Sequence, residues 1–342
     1  MKKTFILFLF MLTMTAASSW AQNSEITIRE NPSTNLKKYV PKGSYSGITR
    51  IGDNTYAVVS DDESHDGFYK FNINIDSSNG EIQSVENIGF YHSETVGRDA
   101  ECVAYNPVRK TLYVGGERNN SIVEFTLEGK ATGVRSGNII PNTRTNLGME
   151  SLCYDSSTKC LWTMPESTLK TDNDGNYTQS TNGVANMLRL MAFDTDFNKI
   201  QEYAYKCDSP ENMKEASTYT IGVSDITALD DGRLLVMERE CFVPKIKYGA
   251  WTKTKIFLVN PKQGTALKDN GPLTADSPFL PKTLLWSCNT TMSFNGLNWA
   301  NYEGMCLGPK LDDGGQTVIL ISDSQGRYKG MLQDWMKTIV IY

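Results

Sequence analysis

One sequence plan recurs five times along the chain, and this repeat constrains the fold more than any other feature. Each copy opens with a triplet that begins with an acidic or small residue and ends with an apolar one. A polar turn and a second apolar run follow, and that run stops at an acid. The triplets are Ser46–Ile48, Glu101–Val103, Glu150–Leu152, Ser224–Ile226 and Glu303–Met305, and the closing acids are Asp61, Glu117, Glu166, Glu238 and Asp323. The offsets from opening residue to closing acid are 15, 16, 16, 14 and 20 residues, which is too regular for chance.

The spacing of the repeat predicts an all-β protein with a β-propeller fold. The chain between the triplets consists of β-branched and aromatic runs separated by Gly, Asn and Asp turns, and no segment shows a long helical period. The triplets recur after 55, 49, 74 and 79 residues, close to or above the ~40–50 residues of a four-stranded blade. The two long intervals hide a further blade or hold loop insertions. We therefore expect six blades, with five as the alternative.

The two ends of the chain suggest export and ring closure. Residues 1–21 have the basic start, apolar run and small-residue cleavage site of a secretory signal peptide. We expect 22–342 to form a single propeller domain that is soluble, monomeric and exported to the periplasm or beyond the cell. No later segment approaches the ~20 apolar residues of a membrane span. An N-terminal strand near Ile26–Ile28 paired with Thr338–Tyr342 would close the ring and remove exposed sheet edges.

Charge and histidine content exclude several classes of function. The chain carries a formal charge of −5, and without the two lysines of the leader 32 basic residues face 39 acidic ones. A net negative protein lacks the basic face that nucleic acid or an anionic membrane requires. His65 and His92 are the only histidines, so a multi-histidine zinc site cannot form. Seven cysteines permit up to three disulfides in an oxidising compartment, and their pairing is left open.

Antiparallel geometry predicts that the acids of the repeat meet at one end of the propeller. In a hairpin the second strand ends beside the start of the first. If these hairpins are the inner strands, eight carboxylates surround the central channel. They belong to Asp61, Glu101, Glu117, Glu150, Glu166, Glu238, Glu303 and Asp323. Two unit charges ~6 Å apart repel by roughly 3 kcal/mol at an effective dielectric of ~20, so such a ring requires protons, arginines or a cation.

We expect a calcium ion to offset the negative charge of this ring. Arg118 and Arg239 each follow a ring acid and offset part of the charge. Oxygen ligands without a histidine cluster favour Ca²⁺ over zinc, since Ca²⁺ accepts six to eight oxygens in flexible geometry. The alternative is that the acids only solvate the rim of the propeller or pair with nearby lysines and arginines.

Several strings of the repeat resemble the phytase-like domain family of exported bacterial proteins, named for an esterase-like activity of phytase. The resemblance spans about residues 40–342 and is carried by Asp99–Val103 with Gly116–Arg118, Met149–Leu152, Asp231–Arg239, and Asn301–Met305 with Leu320–Asp323. It implies a β-propeller and hydrolysis of esters or phosphoesters. The sequence departs from the usual Glu-Gly pair at Glu101-Cys102 and Glu150-Ser151.

The favoured function is a Ca²⁺-dependent hydrolase of a small anionic ester, with phosphate esters first. In this hypothesis the metal ligands are Asp61, Glu101, Glu150 and Glu303. Arg118 and Arg239 bind the substrate, and Asp323 or Glu238 acts as the general base. Two alternatives stay open: a calcium-dependent lactonase, and a non-catalytic binding propeller whose calcium is structural.

Overall fold

The structure is a computed structural model that describes residues 26–179, 183–211, 216–246, 248–268, 271–292, 298–330 and 332–342. The predicted signal peptide, residues 1–21, lies outside the described residues. No helix in the described ranges is both long and apolar enough to cross a membrane.

Twenty-one strands account for almost all regular structure in these ranges. β1 (Ile28–Glu30) and β2 (Thr34–Asn35) come first. Blade 1 contains β3 (Tyr45–Arg50), β4 (Thr55–Ser60), β5 (His65–Ile75) and β6 (Ile82–Val96), and blade 2 contains β7 (Ala100–Asn106), β8 (Thr111–Gly116), β9 (Ser121–Thr126) and β10 (Ala131–Arg135). Blade 3 contains β11 (Met149–Asp155), β12 (Cys160–Pro165), β13 (Met187–Phe193) and β14 (Lys199–Lys206). Blade 4 contains β15 (Ala216–Ala228), β16 (Leu234–Pro244), β17 (Trp251–Val259) and β18 (Lys282–Thr291). Blade 5 contains β19 (Asn301–Lys310), β20 (Gln316–Asp323) and β21 (Trp335–Ile341), with β1 as its outer strand.

Short 3-10 turns connect some of these strands. They cover Leu36–Lys38, Glu117–Asn119, Asn173–Gly175, Pro261–Gln263 and Tyr328–Gly330.

The propeller has five blades, so the expectation of six is wrong. The inner strands β3, β7, β11, β15 and β19 each contact the next, and β19 contacts β3 again, which closes a five-membered ring. The described residues contain no further sheet. The two long intervals instead hold long strands in blade 4 and extended connections, at 166–186 between β12 and β13 and at 260–281 between β17 and β18.

The N-terminal strand closes the ring, as expected. β1 pairs antiparallel with β21, and Ile28 lies opposite Ile341. One residue earlier, the Thr27 and Tyr342 backbones exchange hydrogen bonds of 3.3 and 3.0 Å. Blade 5 is therefore assembled from both ends of the chain, and its outer edge belongs to a short strand, which limits unpaired backbone groups.

The hydrophobic core is divided into five layers, each packed between two neighbouring blades. Between blades 3 and 4, for example, Trp162 and Val236 belong to one buried cluster. All seven cysteines are free thiols, and Cys153 is buried in the same layer. Burial of apolar side chains on both faces of each sheet stabilises the ring and fixes the inner strands around the channel.

Candidate functional site

A β-bulge at the same place in all five inner strands positions the first layer of the site. In blade 2, for example, Glu101 lies between the paired residues Ala100 and Cys102, which face consecutive residues of β8. The five bulge residues are Ser46, Glu101, Glu150, Ser224 and Glu303. They are the opening residues of the sequence triplets. A bulge changes the direction of a side chain at the end of a strand, which is why bulges are frequent near functional sites.

The second layer comes from the second strand of each blade. In each inner strand, the residue just before the bulge pairs with a residue of the second strand, and the next residue along that second strand belongs to the layer. These residues are Asp61, Glu117, Glu166, Arg239 and Asp323. Arg239, and not Glu238, is therefore the blade 4 counterpart of the closing acids. Neighbouring strand residues point to opposite faces, so Glu238 faces away from the side that Arg239 occupies.

The charged residues of the two layers line a cavity of about 570 Å³ at one end of the channel. Its acids are Asp61, Asp99, Glu101, Glu117, Glu150, Glu166, Glu303 and Asp323. Seven of the eight predicted ring acids therefore meet here, and Asp99 is an addition. Among the described residues that line the cavity, Arg239 is the only cation.

The carboxylates contributed by blades 1 to 3 are close together and poorly compensated. Ligand oxygens of Asp61, Asp99 and Glu101 lie within 4.8 Å of one another, and so do those of Glu101, Glu117 and Glu150. Glu101 belongs to both triplets. At 4.8 Å and an effective dielectric of ~20, each pair of ionised carboxylates repels by about 3.5 kcal/mol. We call these five residues the open carboxylate cluster.

Two members of the open carboxylate cluster have unused hydrogen-bonding capacity. Glu150 is only 8% exposed, and its carboxylate accepts no hydrogen bond from the described residues. The Oδ1 atom of Asp61 is buried and also lacks a partner. Buried polar atoms are normally paired, so such atoms indicate that a ligand, water or ion completes the site.

Burial and mutual repulsion shift the acid equilibria of the site. Burial, aided by the nearby Asp323 carboxylate, raises the pKa of Asp61 to about 7. Burial likewise raises the pKa of Glu117 to about 7 and that of Asp323 to about 6. The pKa values of Glu101 and Glu150 lie well above the ordinary range for the same reason, with neighbouring carboxylates adding to the effect. Near neutral pH the cluster therefore requires protons or a cation.

The opposite side of the cavity is neutralised by Arg239. One terminal nitrogen of its guanidinium donates to Glu166 Oε1 at 2.6 Å, and the other forms an ion pair with Glu303. Asn301 Nδ2 also donates to Glu303, at 2.8 Å. Burial alone would lower the pKa of Arg239, yet the surrounding carboxylates raise it above its ordinary value. Glu303, a predicted metal ligand, is thus an ion-pair partner, and both terminal nitrogens of Arg239, a predicted substrate-binding residue, are paired with carboxylates.

Asp323 lies at the boundary of the two sides. It forms an isolated backbone bridge with Ser44, whose side chain lies against both Asp61 and Asp323. The Gln325 backbone N–H donates to Asp323 Oδ1 at 2.6 Å. This contact orients one carboxylate oxygen of Asp323, the predicted general base, beside the open carboxylate cluster.

Glu238, the other predicted general base, lies outside the cavity. Its Oε1 atom accepts hydrogen bonds from Tyr205 Oη at 2.6 Å and Lys282 Nζ at 2.5 Å, while Oε2 accepts the Asp208 backbone N–H at 3.0 Å. Asp208 also forms ion pairs with Lys282 at 2.9 Å and Lys255 at 2.8 Å. The contacts of Glu238 are therefore those of a buried polar network that joins blades 3 and 4.

Arg118, the other predicted substrate-binding residue, also does not line the main cavity. It borders an adjacent polar groove that shares Asp99 and Glu117 with the cavity. Its Nη1 atom donates to Gly97 O at 3.3 Å. The two predicted substrate-binding arginines thus lie in different places, and only Arg239 lines the same cavity as the open carboxylate cluster.

Asp99 is a site residue that the repeat did not identify. It has a left-handed backbone (φ 63°), a conformation in which Asp and Asn are enriched, and its carbonyl accepts the Glu117 N–H at 2.8 Å. This local turn presents its carboxylate beside Glu101. The one sequence signal that could have identified Asp99 was an acid two residues before Glu101, just outside β7.

Comparison with known proteins identifies the family to which most of the chain is similar. The family model described as "Phytase-like: Esterase-like activity of phytase" matches residues 40–325. The chain matches no curated protein. A streptogramin B lyase structure is 12% identical, covers 93% of this chain and 98% of its own, and gives a TM-score of 0.36. A nidogen/laminin complex is 10% identical, with 86% and 84% covered and a TM-score of 0.38. A Bacteroides thetaiotaomicron protein of unknown function is 10% identical, with 92% and 76% covered and a TM-score of 0.37.

Proposed function

Because the chain belongs to the phytase-like family, we propose that it is a metal-dependent ester hydrolase whose cation, Ca²⁺, is held by the open carboxylate cluster. The observation that supports this most directly is the position of Glu101 in two carboxylate triplets, beside the buried and unpartnered carboxylate of Glu150. Ion pairs with Arg239 neutralise the carboxylates on the other side of the cavity, but the open carboxylate cluster has no such partner.

The donor set suits calcium. Asp61, Asp99, Glu101, Glu117 and Glu150 offer carboxylate oxygens, which hard cations prefer. Neither histidine lines the cavity, so the nitrogen ligands typical of catalytic zinc are absent from its described lining. An ion held by one of the two triplets would bind three carboxylate oxygens and keep room in a six- to eight-coordinate shell for water and substrate.

The chain's own residues would supply the proton transfer and the orientation. Bound Ca²⁺ would offset the negative charge, polarise the ester oxygen and lower the pKa of a bound water. Asp323, whose pKa burial raises to about 6, would accept the proton of the attacking water. Water oxygen bonds to the acyl carbon or phosphorus, the bond from that atom to the alcohol oxygen breaks, and the proton leaves with the alcohol.

Arg239 has a different role in this proposal from the one the sequence suggested. It would keep Glu166 and Glu303 paired, so that these two carboxylates neither repel the substrate nor compete for the cation. Glu238 and Arg118 take no part in the chemistry, since neither lines the cavity.

The test is the turnover of chromogenic carboxylic and phosphate esters with Ca²⁺ and with excess chelator. We expect activity that chelator removes and that Glu101→Gln lowers at least tenfold, about 1.4 kcal/mol. Glu303→Gln, which removes a charge from the paired side, should cost less than Glu101→Gln. The exposed Glu128 provides a matched control, and Glu128→Gln should match the wild type.

Two results would contradict the proposal in distinguishable ways. If Ca²⁺ raises the melting temperature but no ester is hydrolysed, the chain is a binding propeller with structural calcium. If Ca²⁺ changes neither stability nor turnover, the metal assignment fails and the acids only form a solvated rim.

A further inference from the structure

We propose that the substrate is an ester with an apolar acyl or alcohol group, and that this group packs against a wall built mainly by blade 4. This inference rests on the hydrolase proposed above and narrows its substrate class. The wall lies in the same cavity as the open carboxylate cluster, so one substrate can contact both.

Blade 4 extends far above the ring, unlike the other blades. β15 begins eight residues before its bulge residue Ser224, whereas β7 begins one residue before Glu101. At about 3.3 Å per residue, the β15–β16 hairpin rises roughly 25 Å beyond the bulge. This extra length forms one side of the cavity.

Strand alternation directs a defined set of side chains from this hairpin into the cavity. Arg239, Cys241 and Val243 lie two residues apart on β16, and all three line the cavity. Thr218 and Thr220 do the same on β15. The lining therefore changes from charged at the ring to weakly polar and apolar with increasing distance from it.

The wall continues into an apolar cluster from the following segments. Met292, Trp299 and Leu332 are buried together with Ala250, and Val243 packs against them. Met292, Trp299 and Leu332 also line the cavity. Trp299 Nε1 donates to Thr252 Oγ1 at 2.8 Å, so its polar atom is satisfied within the protein and its ring offers apolar surface.

The cavity thus has two chemically different sides. The open carboxylate cluster and its proposed cation suit the reacting polar group, and the wall suits a group that gains by leaving water. A polyphosphate would leave this wall without a matching partner. Among the described lining residues it would also find a single arginine, already paired with Glu166 and Glu303.

The test is a chain-length series of p-nitrophenyl esters, from acetate to octanoate, with p-nitrophenyl phosphate as the alternative. A fully buried methylene contributes about 0.8 kcal/mol, so half-burial of the four added in hexanoate predicts a kcat/KM about tenfold above that of acetate. Val243→Ser should flatten this dependence, because it should lower hexanoate turnover more than acetate turnover. Val134 is a half-buried valine on an outer strand, and Val134→Ser should keep the wild-type series.

A second measurement does not depend on turnover. With Ca²⁺ present, hexanoate should raise the melting temperature of the wild type more than acetate does, and Val243→Ser should lose the difference. Efficient hydrolysis without any chain-length dependence, or with phosphate preferred, would overturn the apolar-group inference and leave the hydrolase intact. If no ester is hydrolysed, the proposed function fails, and equal effects of hexanoate and acetate would then overturn the wall as a binding surface as well.

Discussion

Replacing Glu101 by Gln should raise stability without calcium and weaken the response to calcium. Glu101 is the carboxylate shared by the two triplets, and each close neighbour repels it by about 3.5 kcal/mol when both are ionised. Protons and solvent remove much of that repulsion, so we expect a net gain of about 1–2 kcal/mol for the variant at pH 8 without metal. An unfolding entropy of ~2.1 cal/mol/K per residue gives about 1.5 °C per kcal/mol for a chain of this length, so the melting temperature should rise by about 1.5–3 °C.

With calcium the same substitution should weaken the stabilisation that the ion gives and so remove most of this gain. A ligand at a hundred times its Kd stabilises the folded state by about 2.7 kcal/mol. A tenfold weaker site at the same calcium concentration gives about 1.4 kcal/mol, so the calcium-induced increase in Tm should fall by about half. Gln preserves the volume of the side chain, which keeps the comparison free of a packing change.

The assay is thermal unfolding of wild type, Glu101→Gln and the control Glu128→Gln at pH 8, each with chelator and with a calcium titration. The reasoning is refuted if Glu101→Gln is less stable than wild type without metal and keeps the full calcium response. That result would mean that the Glu101 carboxylate stabilises the ring by hydrogen bonds instead of straining it.

The remaining predictions concern the pH dependence of stability, the ion pairs of Arg239, and Glu238, which lies outside the cavity. Without metal, the free energy of unfolding should fall as pH rises from about 5 to 8, because the pKa values of Asp61 and Asp323 are raised in the folded state. The stability that their protonation contributes is complete below the ordinary pKa of about 4. It is lost as pH rises through about 6–7. A melting temperature that rises over this range in chelator would contradict it. Arg239→Met should cost about 3–5 kcal/mol in denaturant unfolding, since two buried carboxylates lose their partner, and an unchanged midpoint would refute the pairing. Glu238→Gln should cost about 2 kcal/mol through its lost ion pair with Lys282 and leave kcat unchanged, so a tenfold fall in kcat would return Glu238 to the chemistry.

The architecture was predictable from the sequence because each inner hairpin repeats the same local pattern. The number of blades was not, since an interval of 74 or 79 residues has the same length whether it contains an extra sheet or long strands and loops. Blade 4 shows the difficulty: β15 and β16 run to 13 and 11 residues, and the connection at 260–281 adds the rest. Periodicity locates strands, but it does not say how far a strand continues past the ring.

The ring was predictable to within one residue, and that residue decides a role. The offset of 14 at Glu238 is shorter than those of 15 and 16 in blades 1 to 3, and counting to Arg239 instead gives 15. Because side chains alternate along a strand, the missing residue moves Glu238 out of the cavity and places Arg239 in it. The pairing of Arg239 with Glu303 spans two blades, and no local pattern in the sequence encodes a contact across the channel.

The departure of one blade from the repeat explains why the excess negative charge of a five-bladed ring lies on one side of the cavity. Four blades place an acid at the closing position, while blade 4 places Arg239 there and Ser224 at its bulge. Arg239 forms its direct ion pairs with Glu166 and Glu303, so the close carboxylates of the open carboxylate cluster are left without a paired cation. The same blade carries the long hairpin that contributes Cys241 and Val243 to the wall. Divergence of this one repeat therefore supplies the arginine of the cavity and leaves the open carboxylate cluster on the other side. It also supplies part of the wall in the same cavity, so the two sides of the cavity differ because one blade differs from the other four.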